Sequence, residues 1–143
     1  MSALKSSAPE TIDVLLVEGD LQDAVLVQLC LARARQVRFR LRHVSRLAHV
    51  APVLEEFNPQ VVLLDFFLPD EWGLDALGAV IDAVGDTPVV VMTAFEDPCV
   101  GPRLITAGAA ARLGKGLDAL RRLEDTLLDA IAAHRIGRML ASA

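Results

Sequence analysis

The chain of 143 residues lacks any uninterrupted apolar run near the ~18 residues that span a bilayer. Its first ten residues, MSALKSSAPE, lack the apolar core of a signal peptide. Neither a membrane span nor a secretory leader is expected, and residues 1–10 read as a disordered lead-in. Cysteine is scarce: Cys30 and Cys99 lie far apart and in no ligand-spaced cluster, as in a reduced cytoplasmic protein with two incidental thiols. An excess of positive charge is also missing. With a formal net charge of −5, general attraction to nucleic acid or to an anionic membrane is not expected. There is no internal repeat, low-complexity tract or interdomain linker, and the length suits one domain.

What is present is an alternation of two periods. The runs IDVLLV (12–17), VVLLD (61–65), PVVVM (88–92) and AARLG (110–114) are short, mostly apolar and bounded by turn formers, as in central parallel strands covered on both faces. VRFRLRHV (37–44) alternates strictly, as in an edge strand. Helical segments are expected at about 21–34, 46–57, 74–84, 98–107 and 118–138. Pro52 breaks the second, so its regular part is expected to start there with Pro52 in first position. The last carries Leu120, Leu123, Leu127, Ile131 and His134 on one stripe, with Asp118 in its first turn. Strands alternating with helices predict an α/β fold with a parallel sheet and right-handed crossovers. The domain is expected over 11–138, followed by a tail at 139–143.

In such sheets a ligand site lies beyond the carboxyl ends of the strands. Those ends carry Glu18, Gly19 and Asp20 after the first strand, Asp65 at the end of the third, Thr93 after the fourth and Lys115 after the fifth. Carboxylates with a backbone carbonyl suit a hard divalent cation such as Mg²⁺, while a hydroxyl and an ammonium suit phosphoryl oxygens. The central carboxylate is then a candidate nucleophile, as in aspartyl-phosphate chemistry.

The segments VLLVEGD, VVLLDFFLPDEWGLDAL, VVVMTA and AGAAARLGKG, in this order and spacing, resemble the receiver domain of two-component response regulators over about 12–134. The resemblance implies a flavodoxin-like, doubly wound (βα)5 fold with strand order 2-1-3-4-5. It further implies that Asp65 accepts a phosphoryl group from a phosphohistidine on a sensor histidine kinase or phosphotransfer protein. Thr93 takes the place of the switch hydroxyl and Lys115 that of the phosphate-binding lysine. The backbone carbonyl of Phe67 joins Glu18 and Asp65 around Mg²⁺. Pro69 and Gly73 match the loop after the acceptor. The family's activity is self-catalysed phosphotransfer and hydrolysis rather than enzymatic turnover, and its readout, to a downstream protein or a second copy of the chain, uses the face of the fourth helix, fifth strand and fifth helix.

Three positions depart from the family pattern. Gly19 stands where a second acid is usual, with Asp20 displaced by one; Asp20 is either a further pocket carboxylate or the N-cap of the first helix. Arg112 occupies the aromatic switch position, and a guanidinium is not buried unpaired as a ring is. Gly116 follows Lys115 where a cis proline is common. Gly19 and Arg112 together motivate an alternative, a pseudo-receiver that keeps the fold and signals without phosphate. True enzymes rank below both: a dehalogenase-type phosphatase needs an aspartate where Phe67 stands, and a flavin site needs a Ser/Thr/Gly-rich loop rather than EGDLQD.

Arg38, Arg40 and Arg42 share one face of the edge strand, where they discourage edge-to-edge pairing or form a patch for an acidic partner. His43, His49 and His134 have no ligand spacing. Trp72 either packs or shields the site. No basic recognition helix follows residue 138, so the chain reads as a stand-alone receiver, or as one cut from a longer protein whose helix continues from HRIGRML.

Overall fold

The computed structural model describes residues 10–94 and 97–142; the expected lead-in falls, apart from Glu10, outside them. Strands β1 (Thr11–Val17), β2 (Arg38–Val44), β3 (Val61–Asp65), β4 (Val89–Met92) and β5 (Ala111–Leu113) form one sheet, all neighbours parallel, in the order β2-β1-β3-β4-β5. Helices α1 (Leu21–Ala32), α2 (Val50–Leu54), α3 (Gly73–Val84), α4 (Val100–Thr106), α5 (Leu117–Arg121) and α6 (Leu123–Ser142) connect the strands and close the chain. This is the flavodoxin-like arrangement.

The aliphatic runs become central strands because both faces are covered. Every residue of β3 and β4 is buried. Along β1 the side chains divide by parity. Ile12, Val14 and Leu16 pack with Leu63, Val90, Met92, Leu123 and Leu127 in one core. Leu15 and Val17 pack with Val62, Leu64, Val91, Leu77 and Leu104 in the other. A period of two thus builds two cores on opposite faces of one sheet. The alternating strand lies at the edge as expected.

Two helices differ from expectation. The second does not begin at Pro52. A 3-10 turn at Leu47–His49 runs into α2, and Pro52 is the third residue of that helix. The first four N–H groups of a helix lack intrahelical partners, so proline is tolerated anywhere in that turn; Pro102 sits at the same position of α4. The last expected helix is two, separated at Arg122 without a proline or glycine. The cause is tertiary. Glu124 accepts hydrogen bonds from the N–H groups of Arg35 (3.1 Å) and Gln36 (2.7 Å), and Asp125 accepts one from the Gln36 side chain (2.8 Å), which anchors the first turn of α6 to the loop after α1. α6 then runs to Ser142, so residues 139–142, expected as tail, are helical.

Candidate functional site

Parallel strands deliver their carboxyl ends to one rim, and the site is assembled there from four loops. Asp65 is the last residue of β3 and is 4% exposed. Its Oδ1 accepts a hydrogen bond from the Phe67 N–H (3.3 Å) and lies 3.0 Å from Lys115 Nζ. Thr93, fully buried, follows β4, and its N–H donates to the Leu113 carbonyl (3.0 Å), which ties the ends of β4 and β5 together.

Glu18, 1% exposed, follows β1 and is held at three points. Its N–H donates to the Val44 carbonyl (3.0 Å), its carbonyl is 2.8 Å from His43 Nε2, and its Oε2 accepts from the Asp20 N–H (3.1 Å). Oε1 lies 3.1 Å from Lys115 Nζ but makes no hydrogen bond, a buried carboxylate oxygen left over for another partner. Burial first, and then the contact with the Asp65 carboxyl, push Glu18 up to about 8. The neighbouring Asp65 carboxyl disfavours charge on Glu18, as burial does.

Lys115 places its ammonium between three carboxylates, at 2.9 Å from Asp23 Oδ2, 3.0 Å from Asp65 Oδ1 and 3.1 Å from Glu18 Oε1. Burial works to lower its pKa, but the hydrogen bonds to Asp23 and Asp65 and the charges of Asp65 and Glu18 outweigh that and raise it. The ammonium is charged throughout the physiological range.

The structure separates the two roles open for Asp20. Its carboxylate accepts from the Asp23 N–H (3.1 Å) as the N-cap of α1, and the residue is exposed rather than turned into the pocket. Asp23, from the next turn, reaches Lys115 instead. Sequence reasoning passed over Asp23; the only trace of it is an acid three residues beyond a capping acid. It also passed over His43, whose ring holds the Glu18 carbonyl, and over Asp70. The Asp70 carboxylate accepts from the N–H groups of Leu47 (2.9 Å) and Ala48 (3.0 Å) and thereby fastens the loop after β3 to the segment after β2. Although burial acts in the opposite sense, those N–H groups hold its pKa below the usual carboxylate value.

Gly19 has a physical reason. A Cβ there would come 2.7 Å from Pro69 Cδ, closer than any real contact, and 3.4 Å from the Ser45 carbonyl. The place of a second acid is filled by the proline ring. Gly73, with φ +71°, donates its N–H to the Phe66 carbonyl (2.8 Å) and closes the loop in a conformation that a side chain resists.

The other singled-out residues lie around this centre. Phe67 stacks on Trp72 at 5.7 Å and meets Phe66 edge-on at 4.9 Å; Trp72 is 60% exposed, so its partner is the loop's own ring and not the core. Arg112 is exposed, its stem lying over Gly101 of α4, where an added Cβ would be 3.3 Å from Arg112 Cδ. The Lys115–Gly116 peptide is trans. On the edge strand, Arg40 makes a bidentate pair with Asp13 (2.7 and 2.8 Å), and Arg42 pairs with Glu56 (2.6 Å) and overlies the Phe57 ring. Two of the three arginines are therefore engaged within the chain.

The residues that could hold a cation are Glu18 and Asp65 with the Phe67 carbonyl; among the described residues no three His, Cys, Asp or Glu side chains are arranged to do so. The unsatisfied Glu18 Oε1 and the acidic donor set fit a hard divalent ion, with one carboxylate fewer than a full acidic cluster would supply.

Comparison with known proteins identifies the family. The response regulator receiver domain matches residues 8–127. The methanogenesis regulatory protein FilR1 of Methanothrix harundinacea is 28% identical over 135 residues, 92% of this chain but 30% of its own length. The chain spans under a third of the length of the curated relatives it matches. The crystal structure of the N-terminal signal receiver domain of a two-component response regulator from Bacteroides fragilis superposes with a TM-score of 0.73 at 31% identity, covering 85% of this chain and 97% of that one. NtrX from Brucella abortus, at 20% identity and a TM-score of 0.79 over 92% of this chain and 30% of its own, shares the fold. A buried aspartate at the end of the central strand, paired with a lysine from the loop after the last strand of this sheet, accords with these matches: the chain belongs to the response regulator receiver domain family.

Proposed function

We propose that the chain is a phosphoryl-accepting receiver in which Asp65 takes the group from a phosphohistidine of a sensor kinase or phosphotransfer protein. The observation that carries this reading is the ion pair of Asp65 Oδ1 with Lys115 Nζ at 3.0 Å, in a rim that also holds Glu18 and Thr93. Phosphoryl transfer asks for in-line positioning and neutralisation of charge more than for acid–base groups. Lys115 supplies a fixed positive charge beside the nucleophile, and the Phe67 N–H orients the Asp65 carboxylate. Glu18, Asp65 and the Phe67 carbonyl would hold Mg²⁺, which when bound offsets the negative charge of the phosphoryl oxygens. Leu21, Val25 and Leu29, one face of α1, are exposed, as are Leu26 and, after Lys115, Leu117, and together they suit an apolar kinase surface. The readout is a population shift of the face of α4, β5 and α6, where a downstream protein or a second copy of the chain docks. The Arg112 stem over Gly101 takes the place of a buried ring in that shift.

The test is the intact mass of the wild type and Asp65→Asn after incubation with a small phosphodonor, with and without Mg²⁺. One phosphoryl adduct that requires both Asp65 and Mg²⁺ is expected. Gly19 favours a second reading, the pseudo-receiver, because Pro69 fills the place of the second acid. No adduct in either protein, beside a reactive receiver control, would establish it.

The same pocket sets a pH dependence. A cation must displace the proton that Glu18 carries below its raised pKa of about 8, so Mg²⁺ affinity is expected to rise with pH up to about 8, by up to about tenfold per unit, with proton release. Calorimetry in two buffers of different ionisation enthalpy reads both quantities. An affinity flat between about pH 6 and 8 would mean that the ion binds elsewhere.

A further inference from the structure

In a capping box the acid at the third helical position turns back to the N-cap N–H. α1 begins with such a pair, Asp20 as N-cap and Asp23 three residues on, and Asp20 does accept from the Asp23 N–H. The return bond is absent because Glu18 Oε2 already accepts from the Asp20 N–H. The Asp23 carboxylate is thereby released from its usual task, and it lies 2.9 Å from Lys115 Nζ, across 92 residues of chain. One sequence of contacts thus runs from the end of β1 through the first turn of α1 to the end of β5.

We propose that Asp23 is a positioning residue for Lys115, holding the ammonium at the pocket while Asp65 passes from carboxylate to acyl phosphate. This rests on Asp65 as acceptor. In the transfer an Asp65 oxygen forms a bond to phosphorus as the donor's P–N bond breaks, and the electron pair leaves with the imidazole nitrogen. Asp65 thereby ceases to be the carboxylate that Lys115 met at 3.0 Å, and Glu18 is engaged with the candidate cation. Asp23 is the one of the three partners that neither reacts nor belongs to the cation set. Its half-buried carboxylate keeps the same position before and after transfer, so Lys115 moves to the phosphoryl oxygens from a fixed base.

Lys5 and Lys115 are the only lysines of the chain, which makes the hold on Lys115 directly readable. In ¹⁵N spectra of the lysine ammonium groups at low temperature, a hydrogen-bonded Nζ is protected from exchange and an exposed one is not. The Lys115 ammonium is expected to be protected in the wild type, its signal assigned by its loss in Lys115→Arg. Asp65→Asn keeps it, Asp23→Asn loses it and Asp23→Glu retains it. In parallel, the phosphoryl adduct is expected to accumulate about tenfold more slowly in Asp23→Asn, the effect of one partly exposed charge-assisted hydrogen bond, and to recover in Asp23→Glu. An unchanged ammonium signal in Asp23→Asn, or an adduct rate equal to that of the wild type, would overturn the proposal. A wild type that forms no adduct at all would overturn the acceptor reading instead, while the spectra still decide whether Asp23 holds Lys115.

Discussion

Lys115→Met lowers the free energy of unfolding by about 3 kcal/mol near neutral pH, the loss expected when one partner of a buried ion cluster is removed. The magnitude follows from what the ammonium leaves behind. Lys115 is 17% exposed and touches Glu18 and Asp65, themselves almost fully buried, as well as Asp23. Without it, two buried carboxyls face each other with no counter-charge. Methionine keeps the length and apolar stem of the side chain, so the change measures charge and not a cavity.

The loss depends on pH with a definite sign. Lys115 has a folded pKa above its unfolded value, so its stabilising effect is fully present below about 10.5, the unfolded value, and declines only above it. Glu18 is raised from 4.5 to about 8, so in the wild type its contribution is present below 4.5 and is lost as pH rises through 8. Because the Lys115 charge lowers the Glu18 pKa, its removal makes ionisation of Glu18 costlier still. The difference between wild type and variant therefore widens from pH 6 to pH 9. Urea denaturation at a series of pH values measures it; a difference below about 0.5 kcal/mol at every pH would show that the cluster is solvated like a surface pair.

Gly19→Asp, the substitution that restores the family's usual acid, is expected to lower stability by about 1–3 kcal/mol and to leave Mg²⁺ affinity unimproved. The new Cβ would stand 2.7 Å from Pro69 Cδ, an atom of a closed ring that no rotamer change removes. Nor is the loop free to retreat, since the adjacent Asp70 fastens it to the N–H groups of Leu47 and Ala48. Gly19→Asp with Pro69→Ala removes the obstructing ring, and there the added carboxylate should tighten Mg²⁺ binding about tenfold or more. Thermal melts and Mg²⁺ titrations of the two single variants and the double variant separate these effects. If Gly19→Asp alone tightened Mg²⁺ binding without a fall in melting temperature, the loop would be far more compliant than its hydrogen bonds imply.

The legible part of this chain was the part governed by local pattern. Strands β1, β3 and β4 announce themselves because a run buried on both faces must be apolar at every position, and β2 because an edge strand need be apolar only at alternate ones. Glu18, Asp65, Thr93 and Lys115 could be placed on one rim because parallel strands bring their carboxyl ends to the same side. The start of the second helix is not legible because proline is compatible with three successive positions of a first turn, a degeneracy that the sequence does not resolve. The break between α5 and α6 left no trace in composition, because its cause is Glu124 reaching back to Arg35 and Gln36, 89 and 88 residues away.

By itself, then, the sequence determined the α/β architecture and the identity of the rim residues, which follow from periodicity and from where strands end, while the strand order came only through the resemblance to a family. Tertiary structure alone decided how those residues are wired. It made Asp20 a cap and sent Asp23 to Lys115, filled the place of the missing acid with Pro69, set His43 against the Glu18 carbonyl, and buried Glu18 beside Asp65 deeply enough to hold a proton near pH 8. These contacts join residues far apart in the chain across a few ångströms, and both desolvation and hydrogen-bond geometry depend on that spatial closeness rather than on order along the chain.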